Sequence, residues 1–292
     1  METFFSRLRI TPDIGIVREQ EERVADMQDY SEMKNFYQTR YDENSRMSRN
    51  PLEYIRCKEI IGRYLDRETL KVADVGGASG AFSFWLAEQG HIVSLLDYTP
   101  LHIGQAKEKS ILLGIKLYSY DCGDAKNLPY ANEEFDLVLL MGPLYHMQKA
   151  EDRLQCLNEA HRVLKKGGII ICECISRYAN IFEGFHNNLM NDEKFVELLE
   201  ENLVSGMHNP HDTGYFTTAF FHTTELLKNE VEQANFSFID LVPVEGFAQV
   251  IDVGSWLADE VRKETLLKYI RKTEQIPELC GISEHHMIIG EK

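Results

Sequence analysis

The chain has 292 residues, of which 43% are apolar and 27% are charged, a balance typical of a soluble globular protein. Its 31 basic and 47 acidic residues give a net charge of −16, which argues against nucleic-acid binding because phosphate contacts need a basic surface. No stretch approaches the roughly 20 apolar residues of a membrane span, and the first ten residues lack the apolar region of a signal peptide. We therefore expect a cytoplasmic protein that binds neither nucleic acid nor membrane.

The six cysteines are scattered and form no C-x-x-C pair, so the sequence predicts no zinc site. Residues 1–50 are charged and weakly apolar, and they predict a helical lead-in. Near its end stands Tyr41. Pro51 then begins a helix that extends to about residue 65.

Residues 71–100 predict a β-α-β unit. Residues 71–75 are a short apolar strand bounded by Gly76, and the apolar residues that follow recur at helical spacing. Gly90 ends that helix, and residues 91–96 are a second strand with Asp97 at its tip. Such a unit places a small ligand over the strand ends, close to the glycine turn.

The turn between the first strand and its helix reads Asp-Val-Gly-Gly-Ala-Ser-Gly from Asp74 to Gly80. The glycines do not follow the G-x-G-x-x-G spacing that binds a dinucleotide pyrophosphate. Asp74, two residues before the first glycine, would face a pyrophosphate poorly and an amino group well. Ordinary turn glycines and a capping acid remain an alternative at this point.

Alternation of strands and helices continues to about residue 175. We predict a helix over 101–113, a strand over 115–120, a buried strand over 135–141, a helix over 150–164, a turn at 165–168 and a strand over 169–175. The pattern then breaks, and residues 176–222 form an insertion with a helix at about 192–203. A long insertion in a compact domain is typical of a lid or a binding element. Beyond it we predict a helix over 224–234, a strand over 236–244, a helix over 255–272 and a strand over 284–290.

Three segments resemble motifs of the class I methyltransferases that use S-adenosylmethionine (SAM). These are the Asp74–Gly80 turn, the run G-D-A-K-N-L-P-Y that begins at Gly123, and the run R-V-L-K-K-G-G that begins at Arg162, in which Lys166 replaces the family's usual proline. The chain is most similar to the branch that resembles the ubiquinone and menaquinone biosynthesis enzymes. The resemblance implies one α/β domain over residues 1–292, with a Rossmann-like seven-stranded mixed sheet in the order 3-2-1-4-5-7-6, flanked by helices.

The resemblance also implies the cofactor and its contacts. SAM would lie on the glycine turn, with Asp74 near its amino group, Asp97 on its ribose hydroxyls, and Asp124 and Ala125 beside its adenine. The remaining cofactor positions that the motifs imply are Gly76, Gly77, Gly80, Tyr98, Met141 and Gly142.

His146 and Tyr145 follow the fourth strand, where this fold places the methyl group, and they are the catalytic candidates. Histidine could take a proton from a hydroxyl, thiol or amine, but it could also cap the next helix or bind the cofactor's amino-acid part. Tyr145 could orient the substrate or simply pack.

Tyr41 is a substrate candidate by the resemblance, since in related enzymes the segment before the first strand closes over the cofactor. The other substrate candidates lie in or near the insertion. Arg177 could bind an anionic group, and the aromatic cluster that includes Tyr215, Phe216 and His222 could cover a flat or apolar substrate or pack the insertion itself. His208, His211 and Asp212 have a spacing seen in metal sites, but no further ligands accompany them, and we interpret them as a polar loop without metal.

We therefore predict a SAM-dependent methyltransferase that acts on an O, N or S atom of a small molecule, as a monomer or homodimer. Three alternatives stay open: methylation of a protein, a nicotinamide-dependent oxidoreductase on the same core, and a binding protein that has lost methyl transfer.

Overall fold

The computed structural model describes residues 30–41, 46–65, 69–210 and 213–292. Residues Ser31–Lys292 form one compact unit. The helical lead-in predicted for the first residues lies mostly outside the described part of the chain, as do His211 and Asp212.

The centre of the unit is a seven-stranded sheet in the order β3-β2-β1-β4-β5-β9-β8. Its strands are β1 Lys71–Val75, β2 Ile92–Asp97, β3 Ser119–Cys122, β4 Phe135–Leu140, β5 Leu164–Ile175, β8 Ser237–Pro243 and β9 His285–Glu291. Strand β9 runs antiparallel to both of its neighbours, and the other pairs are parallel. Two short strands, β6 Met207–His208 and β7 Ala219–Phe220, form a separate ribbon. With that ribbon set aside, the strand order is the predicted one.

Helices cover the sheet and connect its strands. They are α1 Ser31–Thr39, α2 Arg46–Arg49, α3 Pro51–Gly62, α4 Ala81–Glu88, α5 Pro100–Leu113, α6 Pro143–His146, α7 Ala150–Val163, α8 Ala179–His186, α9 Glu193–Ser205, α10 Thr224–Gln233, α11 Val253–Leu257, α12 Glu260–Thr273 and α13 Pro277–Cys280. Two 3-10 turns, Leu189–Asn191 and Gly246–Val250, complete the elements.

The strand–helix alternation follows from local sequence. Leu137, Val138 and Leu139 are fully or almost fully buried, because β4 has a neighbour on each side and helices on both faces. Helix α5 begins with Pro100, whose fixed φ suits a first helical residue, and ends before Gly114 at φ +68°. These boundaries bring the carboxyl ends of β1, β2 and β4 to one edge of the sheet.

The structure corrects several predicted boundaries. Strand β3 begins at Ser119 rather than at residue 115, since the Leu117 amide donates to the Tyr120 hydroxyl at 3.0 Å instead of to β2. Residues 165–168 bulge out of β5, where the pairing with β4 shifts between Leu164 and Ile169. The single helix predicted over 255–272 is two helices, because Asp259 accepts a hydrogen bond from the Arg262 amide and starts a new one.

The insertion contains more structure than the sequence predicted. Helices α8 and α9, a 3-10 turn and the β6–β7 ribbon lie between Ile175 and His222. Its two ends meet, since His222 donates its amide to the Ile175 carbonyl at 2.8 Å and forms a parallel bridge with Ser176. The insertion therefore returns to the strand tip from which it leaves.

Candidate active site

The glycine turn after β1 is held by strand β2 and leaves no room for side chains. The amides of Gly76 and Gly77 donate to the Leu96 carbonyl at 2.7 and 3.3 Å. Gly76 has φ +75°, and a Cβ there would lie 2.7 Å from Pro143 Cδ. A Cβ on Gly77 would lie 2.5 Å from the carboxyl carbon of Asp74. Packing against the protein itself therefore requires both glycines.

Asp74 supports this turn from inside the protein. Its side chain is fully buried, and Oδ2 accepts a hydrogen bond from Ser83 Oγ at 2.5 Å. Burial raises its pKa to about 6, against the lowering effect of the Ser83 bond. The predicted contact of Asp74 with a cofactor amino group stays a prediction, and the described contacts give this residue a structural role under Gly77.

Asp97 connects the glycine turn to helix α5. Its Oδ2 accepts from the Ala78 amide at 2.9 Å, and its Oδ1 accepts from the Thr99 amide at 2.8 Å and faces His102 Nδ1 at 3.0 Å. A carboxylate has about four acceptor positions. Three are occupied by these groups, and Oδ2 retains capacity for a hydroxyl donor, as the ribose of a nucleoside would require.

The loop after β3 lies beside Asp97. Gly123 donates its amide to the Asp97 carbonyl at 3.1 Å, and Asp124 Oδ1 accepts from the Lys126 amide at 2.9 Å. Ala125 is buried, whereas the ring of Tyr98 is 40% exposed. An acid, an exposed aromatic ring and a polar loop thus stand together at this edge, which is a donor and acceptor set that fits a nucleoside.

The tip of β4 joins this edge to the next strand. Tyr145 is buried and donates its hydroxyl to the Met141 carbonyl at 3.4 Å. A Cβ on Gly142 would lie 3.4 Å from that hydroxyl oxygen and 3.6 Å from the Gly76 carbonyl. The predicted position Gly142 therefore lies close to the glycine turn, and Tyr145 lies against Gly142 and Met141.

His146 is buried beside a tyrosine of the N-terminal helix. Its Nε2 lies 3.0 Å from the hydroxyl of Tyr37, and the two rings meet edge to face at 5.4 Å. Burial lowers the pKa of His146 to about 4, while a backbone hydrogen bond to Thr218 and the charge of Asp97 raise it. The imidazole is therefore neutral at pH 7 and able to accept a proton.

A cavity of about 570 Å³ lies against the other side of Tyr145. Tyr41, Tyr145, Tyr215 and Phe216 are the predicted site residues that line it. The remaining lining residues come from α1 to α3, the end of β5, the insertion and the start of β9. They include Phe36, Tyr37, Arg40, Arg46, Asn50, Glu53, Ile175, Asn180, Glu183, Phe195, His208, Phe221, Glu284 and His285.

Two predicted substrate residues do not line this cavity. Arg177 is buried and donates from Nε to the Phe221 carbonyl at 2.9 Å and from Nη1 to the Val204 carbonyl at 3.4 Å, so it braces the insertion. His222 is buried 3.2 Å from Glu230 Oε2, within an ion-paired group. The sequence interpretation offered Arg177 as the partner of an anionic substrate group, whereas the residue is 9% exposed and its guanidinium donates to backbone carbonyls.

One wall of the cavity carries opposing buried charges. Arg46 pairs with Glu53 at 2.5 Å and lies 3.5 Å from Glu173, which is behind the wall and 1% exposed. Burial and the charge of Glu53 raise the pKa of Glu173 to about 7. On the same wall, Glu245 pairs with His285 at 2.9 Å, and this carboxylate raises the pKa of the imidazole against the effect of burial.

The sequence interpretation missed the groups that are brought together over long distances. Glu53, Asn180 and His285 belong to three separate segments, and no local motif marks any of them. His208 was noticed for metal-like spacing, but within the described residues no group of three or more His, Cys, Asp or Glu side chains could hold a metal. Its position on the cavity wall is a result of the β6–β7 pairing.

Comparisons with known proteins agree with this arrangement. Residues 73–172, which run from β1 to β5, match the family described as "Methyltransferase domain". A SAM-dependent methyltransferase from Methanosarcina mazei has a similar fold, with a TM-score of 0.55 at 18% identity, over 80% of this chain and 96% of its own. Over residues 73–172 the chain is therefore similar to a methyltransferase domain, and it shares the fold of the Methanosarcina mazei protein. The Methanosarcina mazei protein is named as SAM-dependent, and the carboxyl edge of the sheet in this chain has the groups that a nucleoside would need.

Relatives with assigned names share only part of the chain. The 2-methyl-6-phytyl-1,4-hydroquinone methyltransferase 1 of Oryza sativa is 34% identical over 102 residues, which are 34% of this chain and 29% of the relative. A demethylmenaquinone methyltransferase of Alkalihalophilus pseudofirmus is 27% identical over 166 residues, 54% of this chain and 65% of the relative. The matched stretch thus spans less than two thirds of either relative's length.

Among the described residues, no helix is both long and apolar enough to cross a membrane. The predicted cytoplasmic location and the predicted monomeric or dimeric state stay predictions.

Proposed function

We propose that the protein transfers the methyl group of SAM to an O, N or S atom of a small, flat, ring-containing molecule. The observation that carries the proposal is the position of Tyr145. Its hydroxyl bonds to the Met141 carbonyl at the tip of β4, where Gly142 lies close to the Gly76 carbonyl, and Tyr145 also lines the aromatic cavity. A substrate in the cavity would therefore lie next to the strand edge that receives the cofactor.

The shape and lining of the cavity support a ring-containing substrate. Aromatic side chains from three segments contribute to its wall, among them Phe36, Tyr41, Tyr215 and Phe216. A volume of about 570 Å³ is in the range of pockets for small organic ligands. The names of two relatives, for a hydroquinone and a demethylmenaquinone substrate, favour the same class of molecule.

SAM supplies an activated methyl group when bound, so the protein's main task is to place the acceptor atom and remove its proton. Tyr37 lines the cavity and its hydroxyl lies 3.0 Å from His146 Nε2, whereas His146 itself stands behind it. In our proposal the acceptor's proton passes to Tyr37 Oη while the phenol's own proton passes to His146 Nε2. His146 thereby acts through Tyr37.

The test is methyl transfer from labelled SAM to a panel of hydroquinones, catechols, aromatic amines and aryl thiols. Incorporation into a ring compound is the expected result. Incorporation only into protein would support protein methylation instead, and binding of S-adenosylhomocysteine (SAH) without transfer to any acceptor would support a binding protein.

A further inference from the structure

His208 occupies an unusual position on the wall of the cavity. It lies in the short β6 strand and is 1% exposed, and its ring stacks on Phe221 with centroids 4.9 Å apart and planes 12° apart. Both residues line the cavity. The stacking fixes the plane of the imidazole ring but leaves open which of its two nitrogens carries the proton.

A chain of hydrogen bonds determines which nitrogen of His208 carries the proton. Asn202 Nδ2 donates to the carbonyls of Gly206 and Met207, both at 3.3 Å, which fixes its amide with Oδ1 as the acceptor. Asn180 Nδ2 then donates to that Oδ1 at 3.2 Å. The same Nδ2 lies 3.2 Å from His208 Nδ1. Since an amide nitrogen only donates, Nδ1 of His208 is an acceptor and carries no proton.

The proton of the neutral ring therefore sits on Nε2. Burial lowers the pKa of His208 to about 4, so the ring is neutral at pH 7 and holds one proton. Within the described part of the chain, that Nε2 is buried without any hydrogen-bond partner. A buried N–H donor that lacks an acceptor lowers the free energy of unfolding, and such unpaired donors are rare in native proteins.

We propose that His208 donates its Nε2–H to a carbonyl or hydroxyl oxygen on the ring of the substrate. The donor stands beside two aromatic rings of the cavity wall, with ring centroids 6.2 Å away for Phe216 and 4.9 Å away for Phe221. His208 is thus a specificity residue that selects oxygenated rings over plain hydrocarbon rings. This inference rests on the proposed methyltransferase function, because it defines the substrate class of the same cavity.

Phe216 connects this donor to the proposed proton acceptor. Its ring lies 6.0 Å from that of His146 and 6.2 Å from that of His208. A flat molecule packed on Phe216 could therefore have one oxygen bound by His208 while another part approaches Tyr37. The arrangement suits a substrate ring on which the oxygen bound by His208 and the atom that accepts the methyl group are at separate positions.

Two rings that differ in one oxygen provide the test. The probes are 1-indanone, which carries a carbonyl acceptor, and indane, which lacks it, each titrated into the full chain saturated with SAH. We expect 1-indanone to bind about tenfold more tightly than indane, as one hydrogen bond to an otherwise unpaired donor implies. His208→Phe keeps a flat ring over Phe221 and should abolish this preference, whereas His208→Gln retains an N–H donor and should keep part of it.

The proton position is checked in the same protein by nitrogen NMR of ¹⁵N-labelled histidine. We expect His208 as the Nε2–H tautomer, with a shift of that resonance on addition of 1-indanone and little change with indane. An Nδ1–H tautomer, equal affinity for the two probes in the unmodified protein, or no binding of either probe at millimolar concentration would each overturn the inference.

The outcomes also separate this inference from the proposed function. Failure of SAH to bind would contradict the methyltransferase proposal, and the two probes could still be compared without it. Normal SAH binding together with equal affinities for 1-indanone and indane would contradict the role of His208 alone. Thermal melting of each variant, with and without SAH, identifies any variant that fails to fold.

Discussion

The hydroxyl of Tyr37 lies 3.0 Å from Nε2 of His146, although the two residues are 109 positions apart in the chain. Tyr37 belongs to helix α1, and His146 ends helix α6 at the tip of β4. The segment before the first strand is therefore part of the candidate active site. This contact predicts the effect of substituting either residue.

Substitution of either residue should lower turnover more than cofactor affinity. His146→Ala removes the proposed proton acceptor and should reduce kcat by about 10²-fold. Tyr37→Phe removes only the hydroxyl, and we expect a loss of similar order because the proton would then have no path from the cavity. Turnover with a phenolic acceptor and calorimetric titration with SAH measure the two effects. A loss of SAH affinity that matches the loss of turnover would place His146 in cofactor binding instead.

Asp97→Ala should weaken SAH binding strongly. The substitution removes the carboxylate that accepts from the Ala78 and Thr99 amides and that we expect to hold the ribose. Charge-assisted hydrogen bonds of this kind contribute about 1.5–3 kcal/mol each, so a loss of at least tenfold in affinity follows. Asp121→Ala is a suitable control, because Asp121 bonds to Ser119 and Tyr130 on the neighbouring strand and loop. Equal effects of the two variants would contradict the assignment.

Arg153 stabilises the backbone directly after His146. Its Nη1 donates to the carbonyls of Met147 and Gln148, and it pairs with buried Glu230 at 2.7 Å. Arg153→Met leaves Glu230 buried without this partner, and we expect a loss of about 3–5 kcal/mol in the free energy of unfolding.

The control for Arg153→Met is a substitution in a surface ion pair of the same region. Lys228→Met breaks the half-exposed Lys228–Glu232 pair at 3.8 Å on helix α10. It should change stability by less than about 0.5 kcal/mol. Urea denaturation of both variants gives the comparison, and similar losses would show that the buried group contributes no more than a surface pair.

Glu173 should make stability depend on pH. Its pKa of about 7 in the folded chain lies above the ordinary value of about 4.3. The folded chain therefore holds a proton that the unfolded chain releases, so the buried carboxyl favours folding less as pH rises from about 4 to 7. Glu173→Gln cannot ionise, and its stability relative to the unmodified protein should rise by roughly 1–3 kcal/mol between pH 5 and pH 8.

The difference in the free energy of unfolding between the unmodified protein and Glu173→Gln isolates the contribution of Glu173. His146 and His208, whose pKa values are lowered to about 4, act in the opposite direction because they favour the unfolded chain as pH falls from about 6.5 to 4. Both histidines are present in the unmodified protein and in the variant, so their contribution cancels. A constant difference between pH 5 and pH 8 would contradict the pKa assigned to Glu173.

The sequence predicted most strands because they depend on local patterns, and the strand order came from the resemblance to the class I methyltransferases. Apolar runs mark the buried strands, and the turn from Asp74 to Gly80 is a contiguous motif. The structure adds a reason for two of its glycines. A side chain at Gly76 would collide with Pro143 and one at Gly77 with Asp74, whether or not a cofactor approaches the turn.

The substrate side could not be predicted in the same way. The sequence offers Arg177 as a partner for an anionic group, but the insertion folds back and its guanidinium donates to the Phe221 and Val204 carbonyls. The tautomer of His208 depends on Asn202, Asn180 and two backbone carbonyls, which meet only after the insertion has folded. Such groups have no shared spacing in the sequence.

The central claim is that SAM binds at the glycine turn between β1 and α4, and Gly76→Val tests it most directly. A Cβ at this position would lie 2.7 Å from Pro143 Cδ, in a backbone conformation at φ +75° that valine rarely adopts. Calorimetric titration with SAH should show one site in the unmodified protein, loss of binding in Gly76→Val, and no binding of NAD. Binding of NAD without SAH, or unchanged SAH affinity in a folded Gly76→Val variant, would contradict the account.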